Sequence, residues 1–562
     1  MSKSENKPDK PVGSKKQTRG NADSASYFRY SKEQKREIRE RTRSVVDKYK
    51  KIHGDRWYSY LHRNVIKPGK IVATLKTLEQ LQDVVAEACK KRIPVKAVGS
   101  GHSFSDLYQT TGYLIDTHRM RGELSIRREW LKKRLVGYDG KLIPDPKYLV
   151  QIRAGTRIRN LNRKILHPRG LGILNMGSYD GQTFAGVAST STHGTGIGLP
   201  PIPDMILSLV LVSEGGRAYR IEPENGITSK RTYPDSEPKL IQDDAIFNSV
   251  IVSMGCMGVI YSVIIQVRDE YVLKERQAVW EWRVLRDEMD MNGSLSAEIT
   301  KHRHFSVLVN PYISHERTGP HKEKRMCLVT TMDEVSRSMR EGKDPRRQQG
   351  LKKCIARQNK FKDAEGVART INTAFDLLAI SNYTNYAHKA FILGGQAIGG
   401  YACEWQFPLD TYLQALDVII ETLEQARDEG EQVLTGPIAL RFVRASRAFL
   451  SPQYAAGNAR ERGRPENVSC MIEITSLYGT PGRDRQSGKR DDYVLMHRLY
   501  KRLIRLGGRP HWGLEFNDLT NTEGRLARLY PEWKTWLKVY RRFNQGTFNN
   551  AFTDRIGITV QR

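Results

Sequence analysis

Two segments of this chain consist largely of glycine, serine and threonine, and each carries one histidine. The first runs Val98-Gly99-Ser100-Gly101-His102-Ser103-Phe104-Ser105-Asp106. The second begins at Asn175-Met176-Gly177-Ser178-Tyr179-Asp180-Gly181-Gln182-Thr183-Phe184-Ala185-Gly186 and continues through Ser189-Thr190-Ser191-Thr192-His193-Gly194-Thr195-Gly196. Glycines such as Gly99 and Gly101 let backbone N–H groups approach an anion closely, so a phosphate or pyrophosphate is the natural guest. The serine and threonine hydroxyls add donors and acceptors for the rest of such a ligand. The dinucleotide fingerprint with three glycines fails, because Phe104 stands where the third belongs, and a Rossmann reading is disfavoured. Either segment alone fits an ordinary glycine-rich surface loop. Together in one chain they argue for a bound cofactor.

Positioning these loops requires rigid neighbours, and the sequence supplies them. Ile71 to Thr74 reads as a short strand, and Thr77 with Gln80 forms a capping box. The helix that follows carries Leu78, Leu81, Val84, Val85 and Ala88 on one side, and Ile93 to Val98 returns as a strand. That strand delivers Gly99 and Gly101 into a tight turn. Ser249 to Val267 is free of charge, but Ser253, Gly255, Gly258 and Gln266 interrupt it. Its valines and isoleucines predict two buried strands around a turn rather than a membrane span.

The loops resemble the flavin-binding (PCMH-type) module of the vanillyl-alcohol oxidase superfamily, closest to its D-arabinono-1,4-lactone oxidase and aldonolactone oxidase/dehydrogenase branch. Ser253-Met254-Gly255-Cys256-Met257-Gly258-Val259-Ile260 resembles the segment closing that module. Cys403-Glu404-Trp405-Gln406-Phe407-Pro408, Arg441-Phe442-Val443 and Gly507-Gly508-Arg509-Pro510-His511-Trp512-Gly513 resemble the substrate-side motifs, in family order. The resemblance implies an α+β fold of two domains. A basic extension would span 1–65 and an FAD-binding domain 66–268. A substrate domain would span 269–562, its last segment returning to the flavin.

The resemblance also implies roles. FAD would be held covalently through His102, with Gly99, Ser100, Gly101, Ser103, Phe104 and Ser105 around it. Gly177, Ser178, Gly181, Gln182, Gly186, Ser189, Thr190, His193, Gly194, Thr195 and Gly196 would hold the pyrophosphate and ribityl parts, with Val259 and Ile260 beside them. Arg441 and His511 are the candidate catalytic residues. The expected reaction is oxidation of a CH–OH group by hydride transfer to flavin, reoxidised by dioxygen or another acceptor. Two positions depart from the family pattern: Ala439 replaces a glutamate, and Leu514 replaces a lysine after the His-Trp-Gly motif. A less polar alcohol is therefore an alternative to a sugar lactone, with Glu404, Glu473 and Glu515 as carboxylates able to compensate.

Composition bounds the remaining readings. A length of 562 residues suits more than one domain, and 92 basic against 62 acidic residues give a net charge of +30. Such a charge attracts nucleic acid or anionic lipid. The basic stretches, the first fifty residues and His321 to Lys362, lack interleaved aromatics, so any such association is expected to be non-specific. The alternative is a solvated tail and a basic insertion loop. No metal site is expected, because the six cysteines show no paired close spacing. Reduced cysteines and the absence of an apolar leader predict a cytoplasmic location.

Overall fold

The computed structural model describes residues 52–53, 55–59, 65–289, 296–315, 320–339, 363–379, 383–392, 400–430, 433–477 and 491–561. All of them belong to the unit Lys50–Arg562. The basic first fifty residues, Cys354 and the 340–362 part of the second basic stretch lie outside the described residues.

Local chemistry fixes the first layer. Thr77 Oγ1 accepts the Gln80 amide at 3.3 Å, and Gln80 Oε1 accepts the Thr77 amide at 3.4 Å. The capped helix, Leu78–Lys90, buries Leu81, Val85 and Ala88. Strands Lys70–Val72 and Val95–Val98 flank Tyr113–Asp116 in a parallel three-stranded sheet. The second of these strands leads directly into Gly99.

A six-stranded sheet follows, in the order Lys239–Gln242, Ala218–Glu222, Ile206–Val212, Val259–Gln266, Leu149–Arg153, Glu123–Leu124. Ile206–Val212 is buried at all seven positions, as a strand covered on both faces must be. The uncharged 249–267 stretch differs from the expected pair of strands. Helix Asp244–Val250 runs into its start, residues 251–258 form turns, and Val259–Gln266 is its one strand. The reason is capping. Asp243 accepts the Ile246 amide at 2.8 Å and starts a helix that the apolar run alone does not announce. Among the described residues no helix is long and apolar enough to cross a membrane.

The third large layer is an antiparallel eight-stranded sheet. Its order is Tyr383–Tyr386, Val272–Glu281, Met326–Val335, His304–Val309, Ile438–Val443, Ser469–Leu477, Gly400–Pro408, Arg509–Pro510. Helices Ala364–Ala379 and Tyr412–Asp428 pack against it through apolar stripes that include Ile371 and Phe375, and Leu416, Ile419 and Leu423. The described part of the basic 321–362 stretch is therefore not an insertion loop. Met326–Val335 is an interior strand, paired on both sides, whose alternating residues are buried while the basic residues gather near its start. The five described cysteines are free thiols.

Candidate functional site

One cavity collects residues from the three sheets described above. Its glycine-rich wall comes from the turn after Val95–Val98, where Gly99, Ser100, Gly101, His102 and Ser103 line it. Gly101 has a φ of +62°, a conformation that favours glycine. A Cβ on Gly99 would lie 2.1 Å from Thr183 Oγ1, so the first loop rests directly on the second. Gly99→Ala is expected to separate the loops and abolish the visible flavin absorbance of the purified protein. Retention of full flavin occupancy would contradict that close approach.

From the second loop Gly177, Ser178, Gln182, Gly186, Ser189, Thr190 and His193 line the cavity, as do Val259 and Ile260 of the six-stranded sheet. The remaining candidates stand behind this wall. Phe104 donates its amide to Gly513 O at 3.1 Å, and Ser105 Oγ bonds Trp512 O at 3.1 Å. Both therefore hold the His-Trp-Gly segment in place. Gly181 is packed on the Tyr179 ring, and Gly194 on Asn175 and Met176. Gly196 N bonds Phe442 O at 2.8 Å, and Thr195 Oγ1 bonds Phe305 O, tying this loop to the eight-stranded sheet.

Residues outside the candidate list also line the wall. Tyr179, whose ring centroid lies 4.9 Å from that of His102, Thr183, Thr192, Met254 and Gly255 are among them. Tyr179 and Met254 carry no local signal of a ligand. Thr183 and Thr192 share the hydroxyl-rich pattern of their neighbours and could have been read from it.

The C-terminal residues brace the first loop from outside. Arg555 meets Asp106 through two hydrogen bonds, Nη2–Oδ1 at 2.6 Å and Nε–Oδ2 at 3.1 Å, and Asn550 Nδ2 bonds Leu107 O at 3.0 Å. Both charged side chains are 16% exposed. Arg555→Ala leaves a mostly buried carboxylate without its partner, at a cost of about 3 kcal/mol. A lower midpoint of unfolding in denaturant is expected, and an unchanged midpoint would refute the bracing role.

The charged end of the cavity is built on three adjacent antiparallel strands. Ala439 of Ile438–Val443 lies opposite Glu473 of Ser469–Leu477, which lies opposite Glu404 of Gly400–Pro408. Residues directly opposite share a sheet face, and Arg441, two residues from Ala439, shares it too. Arg441 Nη1 contacts Glu473 Oε2 at 2.6 Å and Glu404 Oε1 at 3.2 Å. The carboxylate missing at 439 is thus supplied from the neighbouring strand. Of the three carboxylates able to compensate for Ala439, Glu473 and Glu404 are the ones beside Arg441, a choice that cross-strand register makes and spacing along one strand does not. Glu515 points elsewhere: its carboxylate takes the Tyr401 hydroxyl and the Asn517 amide. Leu514 does line the cavity, and Arg441 is the one lysine or arginine among the described lining residues.

Protonation follows from these contacts. His193 Nδ1 faces Gly194 O at 2.7 Å and Nε2 faces Glu404 at 3.1 Å. Both contacts are made by oxygen atoms, so the ring is held in place between the loop and the eight-stranded sheet. Burial pushes Glu404 up, but His193 foremost, with His511 and Arg441, outweighs it and holds the carboxyl well below the usual range. His511 is pushed down to about 4 by burial, and its Nδ1 accepts the Gly513 amide at 3.0 Å. It is a neutral ring that offers Nε2–H as a donor, not a base at that atom.

Burial also lowers His304, to about 3. Unfolded, both histidines titrate near 6.5, so below that pH the unfolded chain binds protons the folded chain refuses. Stability should therefore fall as pH drops from about 6.5 towards 4, by about 1.4 kcal/mol per pH unit for each histidine. Thermal midpoints measured across this interval test it, and a flat profile would be inconsistent with two buried neutral rings.

The comparisons with known proteins agree with this layout. Residues 69–222 match the family model of the FAD binding domain, and residues 263–556 match that of D-arabinono-1,4-lactone oxidase. The chain is 25% identical over 508 residues to L-gulono-1,4-lactone dehydrogenase of Mycobacterium tuberculosis, covering 89% of this chain and 98% of that one. It is 23% identical over 493 residues to L-gulonolactone oxidase of Bos taurus, covering 85% and 93%. Among solved structures, cholesterol oxidase from B. sterolicum superposes with a TM-score of 0.64 at 14% identity, over 89% of this chain and 96% of that one. That likeness speaks to fold.

The wall suits FAD. Apart from Glu404 and Glu473 at the charged end, its described residues include no aspartate or glutamate. Glycines allow close backbone approach, so a pyrophosphate meets amides and hydroxyls rather than opposing charge. With an FAD-binding match at one end and a lactone-oxidase match over more than half of its 562 residues, the chain is an FAD-dependent oxidoreductase and belongs to the D-arabinono-1,4-lactone oxidase family.

Proposed function

We propose that this enzyme oxidises a ring or chain carbinol of a sugar lactone, with Arg441 and Glu473 as the residues that meet the reacting alcohol. The observation that carries the reading is the Arg441 guanidinium held between Glu404 and Glu473 at the charged end of the cavity. Bound FAD supplies the hydride acceptor. Arg441 binds the alcohol oxygen and stabilises negative charge as it develops there. The Glu473 carboxylate, one-fifth exposed and fixed by Arg441, accepts the hydroxyl proton. Neutral His511 donates a hydrogen bond from Nε2, and the His193–Glu404 pair holds the back of the site.

Names of the relatives support a lactone, and two acidic side chains beside an arginine suit its hydroxyls. Leu514 supports a narrower choice within that class, because an apolar side chain there leaves one hydroxyl without an ionic partner. Each such contact contributes about 1.5–3 kcal/mol, so the preferred lactone is one lacking a hydroxyl at that end. The family resemblance and the small residues around His102 support covalent attachment through that ring. Dioxygen or another acceptor completes turnover, and a cytoplasmic location goes with the reading.

Anaerobic stopped-flow reduction with a panel of aldonolactones, alditols and sterols is the test. Fast reduction by at least one aldonolactone, and slow reduction by sterols, is expected. Reduction by a sterol alone would replace the lactone reading with the less polar alternative.

A further inference from the structure

Away from the cavity, His167, Glu270 and His388 converge from three separate segments. His167 opens the short turn His167–Arg169, Glu270 lies between the strands Arg268–Asp269 and Val272–Glu281, and His388 sits in the helix Ala387–Ala390. One ligand atom from each lies within 4.8 Å of the other two. Glu270 and His388 are buried, whereas the His167 side chain is 39% exposed. A buried carboxylate needs compensating charge. Among the described residues, the side chains that face the Glu270 carboxylate are these two imidazoles. The neighbouring Arg337 is bound to the Glu270 backbone carbonyl instead. His167 Nδ1 contacts Glu270 Oε1, but His388 Nδ1 stops 3.8 Å from it, beyond hydrogen-bond reach.

We propose that His167, Glu270 and His388 form a binding site for a zinc-type divalent cation. Two imidazoles and one carboxylate are a ligand set that borderline dications favour, with metal–ligand distances of about 2.0–2.2 Å. An ion between them would take the place of the direct His167–Glu270 contact. The partly exposed His167 gives an ion access from solvent, and a water would complete a four-coordinate site. Backbone contacts already hold the segments together: Glu270 N bonds Gly170 O at 2.7 Å and Ala387 N bonds Tyr271 O at 3.0 Å. Tyr386 stacks on the His388 ring at 6.1 Å and fixes its plane. The cation would therefore staple the turn after residue 166, the strand entering the eight-stranded sheet and the 387–390 helix.

The test uses the full-length, flavin-loaded protein without a histidine tag, stripped with chelator and titrated with zinc sulfate by calorimetry. About one equivalent should bind, and stoichiometric cobalt(II) should give the visible bands of a tetrahedral site. His167→Ala and His388→Ala should each weaken binding at least about 100-fold. His167→Ala, at the exposed position, keeps the test valid should His388→Ala fail to fold. Failure of the wild-type protein to bind zinc would overturn the proposal. So would binding that His167→Ala leaves unchanged, which would assign the metal to His193, Glu404 and His511 instead.

Discussion

Arg441→Ala is expected to slow flavin reduction by the true substrate about 10²- to 10³-fold while the flavin stays bound. The size follows from removing a preorganised donor at the oxygen where negative charge develops, a loss of about 2.7–4 kcal/mol in comparable sites. Structure adds a second reason. Arg441 Nη1 holds Glu473 at 2.6 Å and Glu404 at 3.2 Å, so its removal leaves two neighbouring carboxylates on one sheet face without their shared cation. One of them should then take up a proton, and the pH dependence of reduction should shift upward. Arg441→Lys should recover only part of the rate, since an ammonium is a point charge without the planar fork. Anaerobic single-turnover kinetics, read against the flavin content of each variant, separates these outcomes. A wild-type reduction rate in Arg441→Ala would remove the guanidinium from the chemistry.

His102→Ala should change the protein from one that keeps its flavin through denaturation to one that releases it completely. His102 lines the cavity between Gly101 and Ser103, with Tyr179 packed beside its ring. Small neighbours leave an imidazole nitrogen room to approach a ligand, and the alanine variant removes that nitrogen while keeping Gly101 at the turn. Ultraviolet fluorescence of the denatured protein on a gel reports the difference. Wild-type protein that loses all flavin on denaturation would show that His102 only lines the site.

Local signals carried well from sequence to structure, and pairings between distant strands did not. The capping box at Thr77 and Gln80 lies within four residues, and it stands as read. Both glycine-rich loops were recognisable because their composition buries too little apolar surface to serve as core. Glu473 could not be assigned, because its position opposite Ala439 depends on the register between Ile438–Val443 and Ser469–Leu477. For the same reason Glu404 and Glu515 were equivalent candidates until the sheet turned one into the cavity and the other towards Tyr401. The strand Met326–Val335 was obscured by the basic residues that precede it, since net charge over a window hides alternation within it. His167, Glu270 and His388 share no sequence motif, so only the fold could bring them together.

The clasp of Asp106 by Arg555 has a consequence for how the protein is made. These partners are separated by 449 positions. At roughly 5–20 residues per second, a ribosome synthesises Arg555 roughly 20–90 s after Asp106. Throughout that interval the nascent loop around His102 lacks its outer brace, and the Trp512 and Gly513 carbonyls that hold Ser105 and Phe104 arrive late as well. The first loop is therefore fully braced only once synthesis is nearly complete.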